Sequence, residues 1–269
     1  MLTSTPAPQA ADGFDFSGIG VVIAGGTSGV GLATAVAFAR TGCHRLVLLG
    51  RNEERGKSAV ERVVQAVPSA KADFVAADVN DPTAADEAAA EAHLLLGGID
   101  VVVNSVVAPY QPTLLHQIST TQVHDILTQQ ALGPLLMTRA VLPYLREQES
   151  GSIINIASDA AKVVTPGETV LGGAMAAIVT FTRTLALEAK RYGVRVNAIT
   201  PSLIVDTGSF DRAMNQEFSK KIFDKIVSQA HLGLTTPDDL ANLILYLASP
   251  LSRLITGQVI SVNGGISVA

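Results

Sequence analysis

The sequence has very little cysteine: Cys43 is the only one in 269 residues. A lone cysteine excludes a disulfide within the chain and a metal site built from clustered cysteines. No uninterrupted apolar run of about 18 residues occurs, so no transmembrane span is predicted. Residues 1–12 have neither a basic region nor an apolar core, so no signal peptide is predicted either. We therefore expect a cytoplasmic protein with no metal site.

Excess positive charge is also lacking. The formal net charge is -5, and 16% of the residues are charged, against 48% that are hydrophobic. Without a basic cluster, nucleic acid is not an expected partner. The apolar content is enough for a sizeable core, and the length allows one large α/β domain or two small ones. Residues 1–15, rich in Pro, Ala and Thr, are predicted to be a disordered tail.

Strand and helix patterns alternate along the rest of the chain. This alternation predicts a single α/β domain at 16–269, a Rossmann-type doubly wound parallel sheet of about seven strands with helices on both faces. The strands are predicted at 19–24, 45–49, 72–77, 100–104, 152–157, 194–199 and 258–262. The helices are predicted at 28–40, 52–67, 82–96, 119–146 (bent near Gly133-Pro134), 170–192 and 237–248, with 203–231 irregular and helical.

A glycine-dense turn after the first apolar strand is the main functional signal. The segment VVIAGGTSGVGLA at 21–33 has the order strand, turn, helix. Gly25 can adopt a positive φ, Gly29 lets a pyrophosphate approach the backbone, and Gly31 lets the helix lie close to the strand. The helix N-terminus offers N–H groups and a partial positive charge to an anion. Since a second strand follows about twenty residues on, a dinucleotide site is favoured over an ordinary turn.

Several further motifs resemble those of the short-chain dehydrogenase/reductase family. Residues 24–31 resemble its TGxxxGxG turn, with Ala24 in place of threonine. Asp78-Val79 resembles the acidic pair that contacts the adenine. The segment DVVVNSVV at 100–107 resembles the strand motif ending in NNAG, of which only Asn104 is kept.

The resemblance covers residues from about 18 to 267. The segment GSIINIAS at 151–158 resembles the strand that carries the catalytic serine. The segment RVNAITP at 195–201 resembles the one near the nicotinamide, with Ser202 where glycine is usual. The segment GQVISVNGG at 257–265 resembles the closing strand. The residues thus predicted to hold the cofactor are Gly25, Thr27, Ser28, Gly29, Val30, Gly31, Arg51, Asn52, Asp78, Val79, Asn104, Pro201 and Ser202.

The end of the second strand bears on which dinucleotide binds. An acidic residue there would bond the adenosine ribose and repel a 2′-phosphate, but this sequence has Gly50, followed by Arg51 and Asn52. The planar guanidinium of Arg51 can pair with a 2′-phosphate, although a solvated arginine that opens a helix is the alternative. NADP(H) is therefore favoured over NAD(H), even though the glycine turn contains no basic residue.

The resemblance also implies four groups that handle the proton, and the sequence keeps one of them. In this family a serine forms a hydrogen bond with the substrate oxygen, and a tyrosine exchanges the proton. A lysine four residues after the tyrosine lowers its pKa and holds the ribose. An asparagine supports a water molecule that relays the proton. Ser158 matches the serine. Leu171, Met175 and Gln130 occupy the positions of the tyrosine, the lysine and the asparagine. Leu171 and Met175 are also an apolar pair at positions i and i+4 of a helix, which suits the wall of an apolar pocket.

Other side chains are candidates to replace the missing tyrosine. Tyr110 lies in a loop that overlies the active site in this fold, although an amphipathic wall residue is the favoured interpretation. Asp159 could take a proton, but bonding to nearby backbone N–H groups is favoured. Lys162 is predicted to be solvated. His116 and His124 have no recognisable partner and are predicted to be structural.

Three hypotheses remain open. The first is an NADP(H)-dependent oxidoreductase with an atypical active site, acting on an apolar carbonyl or enone. The second is a catalytically inactive NADP(H)-binding or scaffold protein, and the third is non-redox chemistry such as cyclisation or isomerisation of a hydrophobic metabolite. The helices at 119–146 and 170–192 resemble those that pair between subunits in the family, so a homodimer or homotetramer is expected.

Overall fold

The structure is a computed structural model, which describes residues 14–215 and 217–269. Most of the predicted tail at 1–15 therefore lies outside the described residues. Of its last two residues, Phe14 packs against the core, and its ring centroid is 6.2 Å from that of Phe16.

All strands of the described chain form one parallel sheet. Its order is β3-β2-β1-β4-β5-β6-β7, which confirms the predicted doubly wound architecture. The order reverses between β1 and β4, and ligands of such sheets bind in the crevice beyond the carboxyl ends of the strands at this point. The strands are β1 Gly20–Ala24, β2 Arg45–Gly50, β3 Ala72–Ala76, β4 Val101–Asn104, β5 Gly151–Ile156, β6 Val194–Pro201 and β7 Val259–Val262.

Helices cover both faces of the sheet and bury two apolar clusters. One cluster joins α3, α5 and α6 to the sheet, and the other joins α1, α2 and α9 to its opposite face. Because the central strands are covered on both sides, they carry continuous apolar runs rather than alternating ones. The helices are α1 Gly29–Arg40, α2 Glu53–Ala66, α3 Pro82–Leu96, α4 Thr120–Leu127, α5 Gly133–Glu147, α6 Thr169–Ala189, α7 Gly208–Asn215, α8 Glu217–Val227 and α9 Pro237–Ala248.

The segment predicted as one helix at 119–146 is helical from Thr120 to Glu147. It contains a π-helix at Thr128–Leu132 between α4 and α5, and α5 begins at Gly133, where the bend was predicted. The Gly133 N–H donates to Asn80 Oδ1 at 2.9 Å, and a Cβ at Gly133 would lie 3.1 Å from this oxygen. The start of α5 thus contacts the loop after β3.

One segment of the described residues is long and apolar enough to cross a membrane, by length and composition alone. It is Thr169–Tyr192, with a mean hydropathy of 1.6 over its most apolar window. In the folded chain, 44% of that window is buried, and the helix packs against β6. The core thus accounts for part of its apolar character.

Candidate functional site

A large cavity opens beyond the carboxyl ends of the strands. Its volume is about 1760 Å³. Sites for small ligands usually have about 300–1,000 Å³, so this cavity has room for a dinucleotide together with a substrate. Of the residues predicted to hold a cofactor, all except Gly31 and Asn104 line its wall.

The glycine turn between β1 and α1 forms the floor of the cavity. Gly25 has φ 79°, and a side chain there would collide with the Ser105 carbonyl. A side chain at Gly31 would collide with the Gly25 carbonyl. Gly29 is different: it has φ 50°, and the nearest atom to a Cβ built there is Thr207 Cγ2, at 3.6 Å. Gly25 and Gly31 are therefore required by packing, whereas the space above Gly29 remains open to a ligand.

The N-terminus of α1 is suited to an anion. Its N-cap residue, Ser28, makes no side-chain capping hydrogen bond, and its first turn contains no acidic residue. By contrast, α2, α3, α4 and α9 are capped by the side chains of Asn52, Asp81, Ser119 and Thr236. Since the first N–H groups of a helix have no partner within the helix, those of α1 can bind the pyrophosphate of a dinucleotide.

The end of β2 carries the predicted adenosine contacts. Arg51 Nη1 lies 3.8 Å from Asp78 Oδ2, and both side chains are largely exposed. A Cβ at Gly50 would lie 2.9 Å from Thr27 Cγ2, so a side chain at this position would crowd the Thr27 methyl group. Gly50 thus has a steric reason for being glycine as well as an electrostatic one.

Four further arginines line the cavity and were not predicted. Arg55 and Arg62 lie on α2, Arg40 ends α1 and Arg212 lies on α7. Residues seven positions apart share one face of a helix. The spacing of Arg55 and Arg62 was therefore a signal present in the sequence.

The opposite end of the cavity carries Ser158, Leu171 and Met175. The Ser158 hydroxyl accepts a hydrogen bond from the Ala160 N–H at 3.2 Å and opens a short 3-10 turn. A Cβ at Gly172 would lie 2.8 Å from the Ala160 carbonyl oxygen, so α6 abuts this turn directly. The contact brings the two apolar side chains to the same cavity wall as the serine. None of the chain's four tyrosines is followed four residues later by a lysine.

Gln130 and Tyr110 also line the cavity, but each uses its polar group on the backbone. The buried Gln130 side chain donates to the Ala108 carbonyl at 3.0 Å. The Tyr110 hydroxyl donates to the Gly167 carbonyl at 2.5 Å. Burial, together with the nearby charge of Glu168, raises the pKa of Tyr110 to about 12. Tyr110 therefore has the geometry of a wall residue rather than that of a free acid.

The interactions predicted for Asp159 and Lys162 need correction. Asp159 is buried and accepts hydrogen bonds from the Asn263 amide, at 2.5 Å, and from the Ser267 hydroxyl, at 3.0 Å, so its partners are side chains rather than backbone N–H groups. Lys162 is not solvated: its side chain is 12% exposed, donates to Ser261 and lies 3.9 Å from Asp159. Burial lowers its pKa. These partners lie about a hundred residues away in sequence, which local pattern cannot show.

Asn104 lies behind the cavity rather than on its wall. It is fully buried, and its amide nitrogen donates to Asn155 Oδ1 at 2.8 Å and to Thr138 Oγ1 at 2.9 Å. Asn155 in turn donates to Thr182 Oγ1 at 2.9 Å. The described geometry thus gives Asn104 a role in joining β4, β5, α5 and α6.

The two candidate histidines, His116 and His124, are exposed. His124 Nδ1 lies 3.3 Å from Asp125 Oδ1 with both side chains largely exposed. Within the described ranges, no group of three or more His, Cys, Asp or Glu side chains is arranged to hold a metal ion.

The contact between α6 and the Ser158 turn predicts opposite effects for two adjacent glycines. Gly172→Ala should destabilise the protein by about 1–3 kcal/mol, because its Cβ meets the Ala160 carbonyl. Gly173→Ala should stabilise it by about 0.5–1 kcal/mol, since that position is helical and has open space around it. Urea denaturation of both variants measures the difference. Equal stabilities would show that α6 does not abut this turn.

Comparison with known proteins identifies the family. A family model described as "Enoyl-(Acyl carrier protein) reductase" matches residues 24–267. The chain belongs to the short-chain dehydrogenase/reductase family. This family comprises oxidoreductases that bind a nicotinamide cofactor and act on small substrates. Among its relatives, the 3-oxoacyl-[acyl-carrier-protein] reductase FabG of Thermotoga maritima is 29% identical over 248 residues, which cover 92% of this chain and 97% of FabG.

Solved structures of the family superimpose closely on this short-chain dehydrogenase/reductase. Levodione reductase is 25% identical, with a TM-score of 0.87 and coverage of 93% of this chain and 98% of the reductase. A short-chain oxidoreductase of Pseudomonas aeruginosa PAO1, described as NADPH-bound and as containing an atypical catalytic center, is 26% identical. Its TM-score is 0.85, and the match covers 95% of this chain and 99% of that protein.

Proposed function

We propose that this protein binds NADP(H) and uses it to reduce a small apolar carbonyl or enone at an atypical active site. The observation that carries the proposal is one continuous cavity with two chemically different ends. One end has the glycine turn and Arg51, which suit a phosphorylated nucleotide. The other has the Ser158 hydroxyl among apolar side chains, with Leu171 and Met175 where the family has its tyrosine and lysine.

The substrate end favours a hydrocarbon that carries one oxygen. Ser158 would bond this oxygen, as the corresponding serine does in the family, and the surrounding surface would bind the rest of the molecule. Leu203, Ala213 and Phe223 form a separate apolar cluster beside the cavity, which joins α7 and α8 to the segment after β6. The apolar residues of the wall include Val107, Pro109, Leu171, Leu203, Phe210 and Phe223.

Two relatives support this proposal through their descriptions. The Thermotoga maritima relative is named as a 3-oxoacyl reductase, which makes a carbonyl the first reacting group to test. The Pseudomonas aeruginosa oxidoreductase is described both as NADPH-bound and as having an atypical catalytic center. A departure from the usual residues thus occurs in a relative of this fold that binds NADPH.

The preference for NADPH is expected to depend on Arg51. A charge-assisted hydrogen bond contributes about 1.5–3 kcal/mol, and solvent exposure reduces this for Arg51. Arg51→Ala should therefore weaken NADPH binding about tenfold in isothermal titration while leaving NADH binding nearly unchanged. Lys57→Ala, an exposed cation of α2 that does not line the cavity, is the control and should change neither. Equal losses for both cofactors would contradict a 2′-phosphate contact at Arg51.

A second candidate function is favoured by the apolar pair itself. Because leucine and methionine cannot exchange protons, the protein could bind NADP(H) as an inactive sensor or scaffold, or use the cavity for non-redox chemistry. The decisive experiment follows absorbance at the NADPH band with a panel of apolar ketones and enones. Substrate-dependent loss of absorbance supports the oxidoreductase. Tight NADPH binding with no loss of absorbance for any compound supports the second candidate.

A homodimer or homotetramer is also part of the proposal. The helices expected to pair between subunits expose large apolar side chains: Leu127 is 42% exposed and Leu187 is 64% exposed. A cytoplasmic location is proposed from the reducing conditions that suit the single buried cysteine.

A further inference from the structure

One carboxyl group on the cavity wall differs from the others. The acidic residues of the wall are Asp78, Asp159, Glu168, Asp206 and Asp238. Asp78 lies beside Arg51, and Asp159 is held by the polar side chains described above. Asp206 and Asp238 are exposed. Glu168 is partly buried, and within the described part of the chain it forms no ion pair with a lysine, arginine or histidine.

Glu168 lies on the substrate side of the cavity. It is the N-cap residue of α6 and precedes Leu171 by three residues. Glu168 and Leu171 both line the cavity, at the start of α6. Its carboxyl group therefore belongs to the same wall as the position at which the family carries its tyrosine.

The surroundings of Glu168 favour its neutral form. Burial raises the pKa of Glu168, and a hydrogen bond with the Thr165 side chain lowers it in part. The titratable group that faces it is Tyr110, from the loop after β4, whose hydroxyl is already donated to Gly167. Tyr110 keeps its proton up to high pH and its hydroxyl is bonded to the backbone, whereas the raised pKa of Glu168 makes its carboxyl group the acid of this wall.

We propose that Glu168 is the proton donor of this active site, in place of the tyrosine that is absent at position 171. The inference rests on the proposed reductase function. Leu171 and Met175 leave the end of the cavity apolar, and Ser158 holds the substrate oxygen. Glu168 then supplies the proton, which neither Leu171 nor Met175 can donate.

The proposed reduction adds a hydride and a proton to the substrate carbonyl. When bound, the reduced nicotinamide supplies a hydride, with its electron pair, to the carbonyl carbon. The O–H bond of the Glu168 carboxyl breaks, and its proton forms the new O–H bond on the substrate oxygen at Ser158, giving an alcohol. The resulting carboxylate lies at the N-cap of α6, on the open cavity. Water entering the open cavity returns the proton to Glu168.

The kinetic test compares Glu168→Gln with Glu188→Gln, a matched change at an exposed position of the same helix. The assay uses NADPH and 4-phenyl-3-buten-2-one, which offers both a ketone and an enone. Glu168→Gln should lower kcat about 10²-fold or more, with the affinity for NADPH unchanged by titration. Wild-type kcat should fall as pH rises through the raised pKa of Glu168, and this dependence should vanish in the glutamine variant. Glu168→Asp should keep the pH dependence at a reduced rate.

Infrared difference spectroscopy gives a readout that does not depend on turnover. A protonated-carboxyl band should persist in the wild type and in Glu188→Gln at a pH where exposed glutamates are ionised, and it should be missing in Glu168→Gln. An active wild type with an equally active Glu168→Gln, or no such band, would overturn the role of Glu168 alone. A wild type that oxidises no NADPH with any ketone or enone would overturn the proposed function, and this role with it.

Discussion

In a Glu168→Gln background, replacing Leu171 with tyrosine and Met175 with lysine is expected to raise ketone reduction about 10²–10⁴-fold, the usual contribution of positioned acid–base groups. Ser158 and the glycine turn are already in place, so the two substitutions supply the missing phenol and the ammonium group that would lower its pKa. The measurement is the steady-state rate of NADPH oxidation with a set of simple ketones. In the wild-type background, where Glu168 already supplies the proton, the same pair should give a smaller gain.

The double variant also carries an expected stability cost. Met175 is 6% exposed, and burying a lysine ammonium there without a partner is unfavourable. The unliganded variant should melt at a lower temperature, and NADPH should recover much of the difference because the lysine gains a ribose partner. Leu171→Phe with Met175→Leu is the control of similar bulk and should give no activity gain. A double variant that binds NADPH but reduces no ketone would show that the pocket has diverged beyond these two positions.

Gly29→Ala is expected to weaken dinucleotide binding by about 100-fold or more, since a Cβ there would occupy the space where a pyrophosphate approaches the backbone. The fold should tolerate it, because no protein atom lies closer than 3.6 Å to this Cβ. The left-handed φ of 50° should cost about 1–2 kcal/mol. Titration with NADPH and thermal denaturation separate the two effects.

Gly97→Ala is the matched control for backbone strain. Gly97 has φ 62° at the C-cap of α3, with open space around it and no place on the cavity wall. It should lose a similar amount of stability but keep full affinity for NADPH. If Gly29→Ala bound NADPH as tightly as Gly97→Ala, the pyrophosphate would not lie over the glycine turn.

The fold was largely predictable because its signals are local. The central strands are buried on both faces, so each is a continuous apolar run bounded by turn residues, as at Arg45–Gly50, which was predicted at 45–49. Regular alternation with helices then fixes a parallel sheet. The long helical segment at 119–146 was predicted from its pattern, with a bend near Gly133-Pro134. The π-helix just before this glycine was not predicted.

The site could be predicted only where it depends on local sequence. The glycine turn, Ser158 and Leu171 were located from motifs and spacing, and the structure brings them to one cavity. The burial of Lys162 depends on β7 folding back from the end of the chain, so it could not be anticipated from its neighbours. Glu168 was missed for a similar reason, since its burial arises from the packing of the loop that carries Tyr110.

A crystal structure of the protein with bound NADPH tests the central claim most directly. We predict the pyrophosphate over Gly29, the 2′-phosphate beside Arg51, and the nicotinamide between Ser158 and Leu171, with the Glu168 carboxyl as the nearest acid. A dinucleotide bound away from the glycine turn would contradict this account. So would a nicotinamide remote from Leu171 with the phenol of Tyr110 beside its reactive carbon.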